Sequence, residues 1–173
     1  MGKIVKKKKS IKEYDDNNNL IYHKDSNGTE VWREYDEYGN CIHLRRSDGY
    51  EWTATYDNRR NELSFRDTNG TIQSWEYDER NRVIHYKDLT TEYWNGYDEN
   101  DNRIYFKNDN GFEWHKKFDD RHNCIYYKDK KMEEIREYDE NNNMIHYKNS
   151  NGEDTYYDYD SEGRIIKTRK AKD

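Results

Sequence analysis

Residues 138–152 read Tyr138-Asp139-Glu140-Asn141-Asn142-Asn143-Met144-Ile145-His146-Tyr147-Lys148-Asn149-Ser150-Asn151-Gly152, and the same phrase begins again at Tyr159-Asp160. The stretch holds an aromatic-Asp pair, a polar cluster, a short run rich in Ile and Tyr, and an Asn-Gly pair. Asn and Gly tolerate the positive φ of a tight hairpin turn, so Asn151-Gly152 predicts a chain reversal. In the run between the breaks, Ile145 and Tyr147 fall on one side of an extended chain, while Met144, His146 and Lys148 fall on the other. Breaks this frequent leave no room for a helix longer than two turns.

Working outward, the phrase recurs along the chain. Its anchors are Tyr14-Asp15, Tyr35-Asp36, Tyr56-Asp57, Tyr77-Asp78, Tyr97-Asp98, Phe118-Asp119, Tyr138-Asp139 and Tyr159-Asp160, spaced by 20 or 21 residues. Seven residues after each anchor aromatic stands Ile21, Ile42, Leu63, Ile84, Ile104, Ile125, Ile145 or Ile166. Ten residues after it stands a base, from Lys24 and Arg45 to Lys148 and Arg169. Eight repeats predict an all-β chain: an antiparallel β-hairpin repeat solenoid, a twisted meander with two strands per 20–21-residue repeat. One repeat alone buries too little apolar surface to offset its ordering entropy, so neighbours must stack, with the Ile and Tyr columns as a thin core. Residues 1–13 form a basic N-terminal segment or cap strand, 14–168 the repeats, and 169–173 a basic tail.

Composition sharpens this. The 173 residues are 39% charged and 31% hydrophobic, a balance usual in disordered chains, yet 16% are aromatic, which disordered chains are not. No apolar run approaches the ~18–20 residues of a membrane helix. Net charge is −6, but residues 14–163 carry 20 basic and 35 acidic side chains, a net of −15 between two basic ends. One acidic row comprises the anchor residues Asp36, Asp57, Asp78, Asp98, Asp119 and Asp139, with Asp15 and Asp160. Another comprises Glu30, Glu51, Glu92, Glu113, Glu133 and Asp154. The basic column can neutralise part of this across strands.

The pattern in Tyr35-Asp36-Glu37-Tyr38-Gly39-Asn40-Cys41-Ile42 and in Tyr159-Asp160-Ser161-Glu162-Gly163-Arg164-Ile165-Ile166 resembles the YD repeats of the RHS family, found in large bacterial polymorphic toxins and related surface proteins. The resemblance covers residues 14–168. It implies β-hairpin units spiralling side by side; in large relatives they form a shell around cargo. Gly stands at this turn in only those two repeats, and eight repeats are too few to enclose a toxin domain, so the repeat geometry is what the resemblance carries over. A fainter similarity is to the aromatic hairpin repeats of choline- and glucan-binding modules.

Chemistry-bearing motifs are scarce. His43, His85 and His146 share one column, in repeats too far apart to meet. Cys41 and Cys124 share another, four repeats apart and out of disulfide reach, which implies reduced thiols and a cytoplasmic protein. No ligands stand at zinc spacing, and no phosphate loop or nucleophile elbow appears, so neither an enzyme nor a cofactor is expected. Trp32, Trp52, Trp75, Trp94 and Trp114 recur in the second strands; Trp75 is out of step, and the other four are candidate contacts with a partner or a sugar. Two repeats break pattern where a Gly turn is replaced: Leu89-Thr90-Thr91 and Lys130-Lys131-Met132. Asn95-Gly96 within a strand predicts a bulge or kink there.

These features predict a non-enzymatic protein-binding array. Its specific form is a small bacterial or phage inhibitor, anti-CRISPR-like, whose acidic face occupies the basic, nucleic-acid-binding groove of a partner protein. The alternatives are a carbohydrate-binding module using its Tyr and Trp rows, or a fragment of a larger RHS-type shell. Direct nucleic-acid binding by so acidic an array is disfavoured, and no membrane partner is expected. The Lys6-Lys7-Lys8-Lys9 run reads as a solvated tail or cap.

Overall fold

The computed structural model describes residues 10–171; the Lys6–Lys9 run lies outside the described residues. The chain divides into two compact halves, residues 1–91 and 92–173. The first contains β1 (Ile11–Tyr14), β2 (Leu20–Lys24), β3 (Glu30–Tyr35), β4 (Cys41–Arg46), β5 (Glu51–Tyr56), β6 (Glu62–Asp67), β7 (Ile72–Tyr77) and β8 (Val83–Lys87). The second contains β9 (Glu92–Tyr97), β10 (Arg103–Asn108), β11 (Glu113–Phe118), β12 (Cys124–Asp129), β13 (Glu133–Tyr138), β14 (Met144–Asn149), β15 (Asp154–Tyr159) and β16 (Ile165–Lys170). In each half every strand pairs antiparallel with its neighbours in sequence, so the expected meander of hairpin repeats is what the chain forms. β16 extends through Arg169 and Lys170.

The anchor Asp builds the first turn of each repeat. In the third repeat the Asp57 amide donates to the Asn61 carbonyl and the Arg60 amide to the Asp57 carbonyl, both at 3.0 Å. The Arg59 and Asn61 amides donate to Asp57 Oδ1 at 2.8 and 2.9 Å, and Asn61 Nδ2 donates to Oδ2 at 2.8 Å. A carboxylate that collects backbone amides in this way is an Asx turn. The third residue after every anchor Asp is left-handed, with φ from 62 to 83° at Asn18, Gly39, Arg60, Asn81, Asp101, His122, Asn142 and Gly163. The turn therefore has one backbone whether or not its sequence supplies Gly.

Directly beside this turn lies a β-bulge. Tyr14 pairs with Leu20 and Glu13 with Tyr22, so Ile21 stands between them without a ladder partner. The same register shift leaves Ile42, Leu63, Ile84, Ile104, Ile125, Ile145 and Ile166 in that place. The eight-fold aliphatic column is thus the bulge position, two residues opposing one. Close by, hydroxyls of later anchor Tyr residues tie repeats together: Tyr35 to the Leu20 carbonyl at 3.0 Å, and Tyr159 to the Met144 carbonyl at 2.8 Å.

The second turn repeats the Asx device with Gly at the left-handed position. Asp67 Oδ1 accepts from the Asn69 and Thr71 amides at 3.0 and 2.8 Å, and Gly70 has φ 91°. The two 20-residue repeats close this turn one residue sooner. Asp88 Oδ1 accepts from the Thr90 and Thr91 amides, both at 2.7 Å, and the Asp88 amide donates to the Thr91 carbonyl at 2.8 Å. Asp129, Lys131 and Met132 make the same set. The residue removed is the left-handed one, which accounts for both the shorter period and the missing Gly.

Of the bulge or kink predicted at Asn95-Gly96, the kink is absent, and the bulge lies opposite, at Ile104 of β10. β9 runs unbroken, and its register shift is the one every repeat has. Gly96 instead makes room opposite Tyr105, whose Cβ would lie 3.1 Å from a Cβ added there.

Cross-strand pairing sorts the side chains onto two faces. One is aromatic: Trp52 lies 5.7 Å from Phe65, and Phe106 lies 6.0 Å from Trp114. The other carries the charged rows. The most buried apolar residues, Ala54 at 4% exposure and Trp114 at 8%, are on the aromatic face. The column residues from Ile21 to Ile145 are only half-buried, Ile166 is exposed, and no described side chain is fully buried. The layer is thin because, among the described strands, contacts run between strands adjacent in sequence.

Candidate functional site

On the charged face the base column and the Glu row stand directly opposite one another. Lys24 faces Glu30, Arg45 faces Glu51, Lys107 faces Glu113, Lys128 faces Glu133 and Lys148 faces Asp154. Lys24 Nζ bonds Glu30 Oε1, and Lys128 Nζ lies 3.0 Å from Glu133 Oε2. These hydrogen bonds hold Glu30 and Glu133 below their ordinary pKa and Lys24 and Lys128 above theirs. The third repeat departs, with Ile72 opposite Arg66.

Two imidazoles are clamped between carboxylates. His43 Nδ1 lies 3.1 Å from Glu34 and its Nε2 2.7 Å from Glu51; the Glu51 bond, then the Glu34 bond, raise its pKa. His146 repeats this with Glu137 at 3.3 Å and Asp154 at 2.9 Å, stacked at 4.1 Å on Tyr156. Burial pulls the His146 pKa down, but the carboxylates of Asp154 and Glu137 outweigh it and the net shift is upward.

The His43 clamp opens into a hollow of about 730 Å³ on β1–β5, lined by Glu13, Tyr22, Glu30, Trp32, Glu34 and Glu51 together with Ile21, Arg33, His43 and Arg45. Tyr22 and Trp32 form its ring wall, with centroids 5.6 Å apart, and the Arg45 guanidinium lies 4.7 Å from the Trp32 centroid. Rings beside carboxylates in an open depression are the two features that hold a guanidinium or ammonium group. Among the described residues no three His, Cys, Asp or Glu side chains converge as a metal site. The Cys41 and Cys124 thiols are free, and no helix is long and apolar enough to cross a membrane.

The remaining candidates distribute as follows. Asp36, Asp57, Asp78, Asp98, Asp119 and Asp139 sit in the first turns, each carboxylate engaged by its own loop. In Asp119 and Asp139 the Asn side chain four residues on is the main cause of a lowered pKa; in Asp57 burial raises it, and the Asn61 and Arg59 bonds prevail. Glu92 accepts the Asp109 amide through its carbonyl at 2.9 Å. The Trp residues do not form one row. Trp32 and Trp94 stand three residues before their anchors, opposite the bases Arg45 and Lys107. Trp52 and Trp114 stand four before, on the opposite face, where Lys116 Nζ and Arg103 cover Trp114 at 4.4 and 5.0 Å. Leu89, Thr90, Thr91, Lys130, Lys131 and Met132 form the two short turns. Sequence reading passed over Glu13, Glu34 and His43 as a group; their signal was the cross-strand register that the bulge sets.

No protein-family model matches the chain, and no curated protein matches it. Solved structures do. The chain is similar to part of a crystal structure of TcdB2-TccC3-Cdc42, with TM-score 0.50 and 17% identity over 88% of this chain and 10% of that one. It is similar also to the Photorhabdus luminescens Tc holotoxin pore with a TccC3 mutation, with TM-score 0.50 and 18% identity over 91% of this chain and 10% of that one. TcdB2-TccC3-TEV matches with TM-score 0.50 and 17% identity over 87% and 10%. At this identity the likeness concerns the fold, and it supports the RHS-like hairpin array that the Tyr-Asp pattern implied. The chain spans about a tenth of the length of those chains.

Proposed function

We propose that this chain is a non-enzymatic binding module whose charged face docks on a basic surface of another protein. The hollow of the first half is where Lys or Arg side chains of that partner enter. The supporting observation is the hollow itself, where Glu13, Glu34 and Glu51 stand beside the rings of Tyr22 and Trp32. The partner class is a protein with a basic groove of the kind that holds nucleic acid. Nucleic acid itself is repelled by an array of net charge −15 over residues 14–163. Two free thiols support an intracellular, reducing setting for this encounter.

Fluorescence anisotropy with an arginine-rich peptide tests the reading. Binding is expected to weaken steeply as ionic strength rises, and to weaken again in Trp32→Ala and in the double variant Glu13→Gln/Glu34→Gln. Binding that ignores both salt and these variants contradicts it.

A second reading, a wall segment of a larger RHS-type assembly, is favoured by the match over most of this chain to a tenth of chains in toxin complexes. It predicts that the protein isolated with its native partners emerges in a large complex, with the hollow variants retained in it.

A further inference from the structure

The two clamped histidines are alike in their bonds and unlike in what surrounds them. His43 Nδ1 meets Glu34 Oε1 at 3.1 Å and its Nε2 meets Glu51 Oε1 at 2.7 Å. His146 meets Glu137 and Asp154 in the same way, at 3.3 and 2.9 Å. An ionised carboxylate only accepts, and a neutral imidazole carries one N–H. A ring bonded to carboxylates at both nitrogens is therefore the doubly protonated imidazolium. The cross-strand neighbours then differ. His146 faces Tyr156, whose ring lies flat on it at 4.1 Å and 2°, and the Asp154 side chain is 24% exposed. His43 faces Thr53, too small to cover a ring, and the Glu34 and Glu51 side chains are 69% and 45% exposed. The carboxylates of the His43 clamp are thus within reach of a second cation entering the hollow.

The groups around His43 decide what such a cation meets. Glu34 faces the ring from β3, and Thr53 faces it from β5, where Glu51 reaches the second nitrogen. Arg45 stands two residues along β4 itself, and Arg66 lies across from Thr53 on β6. Glu13, Tyr22, Glu30 and Arg33 also line the hollow. An imidazolium here holds two of the carboxylates and sets its own positive charge beside the incoming one. A guanidinium carries N–H groups on more than one edge of a plane, as the imidazolium does, and can bridge the same two carboxylates. We propose that an arginine side chain of the partner takes the Glu34 and Glu51 carboxylates over from His43, which gives up one ring proton to solvent in the exchange. This rests on the reading of the hollow as the entry for a partner's basic side chains. In the free protein the Glu51 bond, then the Glu34 bond, keep His43 protonated above the ordinary imidazole value of about 6.5. Loss of both bonds beside a new cation lowers its proton affinity. Affinity for the partner therefore rises with pH between the bound and the free value.

The test is calorimetry of the full chain with a capped oligoarginine peptide, which has no group titrating near neutral pH, at constant ionic strength. Affinity is expected to rise about tenfold from about pH 6 to about pH 8, the factor that matches a tenfold change in the proton affinity of one ring. At about pH 7.5 the heat should differ between phosphate and Tris buffers, because the released proton passes to the buffer. His146→Gln should keep both effects, and His43→Gln should lose them. The 15N signals of the His43 ring in the parent, read with and without peptide, should change from the imidazolium to the neutral pattern, and they carry the measurement should His43→Gln fail to fold. Binding without pH dependence and with equal heats in the two buffers overturns the proton exchange and leaves the hollow as a docking site. A pH dependence that persists in His43→Gln does the same. An oligolysine of equal length that binds as tightly overturns the assignment to arginine. No binding at any pH overturns the docking reading and this inference together.

Discussion

Arg60 occupies the left-handed position of the third anchor turn at φ 67°, exposed, where the second and eighth repeats carry Gly39 and Gly163. Its Cβ costs about 1–2 kcal/mol in that conformation. Replacing it by Gly relieves this cost but adds unfolded-state entropy worth about 0.4–1 kcal/mol. Arg60→Gly is therefore expected to stabilise the protein by about 0.5–1 kcal/mol. The converse, Gly39→Ala at φ 83°, is expected to destabilise it by about 0.5–1 kcal/mol. A Cβ at Gly39 meets only Asn19 Oδ1, at 3.7 Å, so the loss comes from the backbone and not from a clash. Urea unfolding of the two variants and of Arg60→Ala reads these differences as midpoint changes at constant slope. Arg60→Ala keeps a Cβ and should move little. A destabilised Arg60→Gly or a neutral Gly39→Ala would refute the claim that turn geometry, and not the particular side chain, fixes this position.

Other outcomes follow from the same contacts. Tyr159→Phe removes the hydroxyl bond to Met144 and should cost about 0.5–1.5 kcal/mol in thermal or urea unfolding. Inserting Gly between Lys131 and Met132 rebuilds the five-residue turn of the longer repeats. It should leave stability within about 1 kcal/mol of the parent, whereas an insertion inside β12 should disrupt folding. pH acts from both sides. His43 and His146 have raised pKa values in the fold, so their contribution is complete below about pH 6.5 and lost as pH rises through the folded values. The anchor aspartates have lowered values, so theirs is present above about pH 4 and lost as pH falls through the folded values. Melting temperature should decline from pH 6 to 8.5, and His43→Gln/His146→Gln should flatten that limb while leaving the acid limb in place.

Much of the architecture could be read from residues alone, because each repeat carries its own turn chemistry. The Asn-Gly pairs mark hairpins, the base column and Glu row mark partners across strands, and both appear where the columns placed them. The bulge was hidden. Ile21 and its equivalents look like a core row under period-two reading, which has no sign for two residues opposing one. The anchor Asp residues read as an acidic row, yet each carboxylate is engaged by its own loop, with backbone amides on one oxygen and the Asn or Arg four residues later on the other, as at Asp57 and Asp78. The Trp residues misled by proximity: offsets of three and four residues from the anchor look like one column, but a single residue changes the face. The hollow was illegible for a related reason, since Glu13, Glu34 and His43 meet only after the bulge has set the register.

The central claim is that one turn-and-bulge unit, repeated every 20–21 residues, generates the fold. Residue-resolved amide hydrogen exchange tests it most directly. In each anchor turn the Asp amide and the amide four residues on are bonded, for example Asp57 and Asn61. The account predicts slow exchange at Asp36, Asn40, Asp57, Asn61, Asp119, Asn123, Asp139 and Asn143. Fast exchange is predicted one residue after each of those aspartates, at Glu37, Asn58, Asp120 and Glu140. A protection pattern without this period, or uniform exchange across these turns, would contradict it.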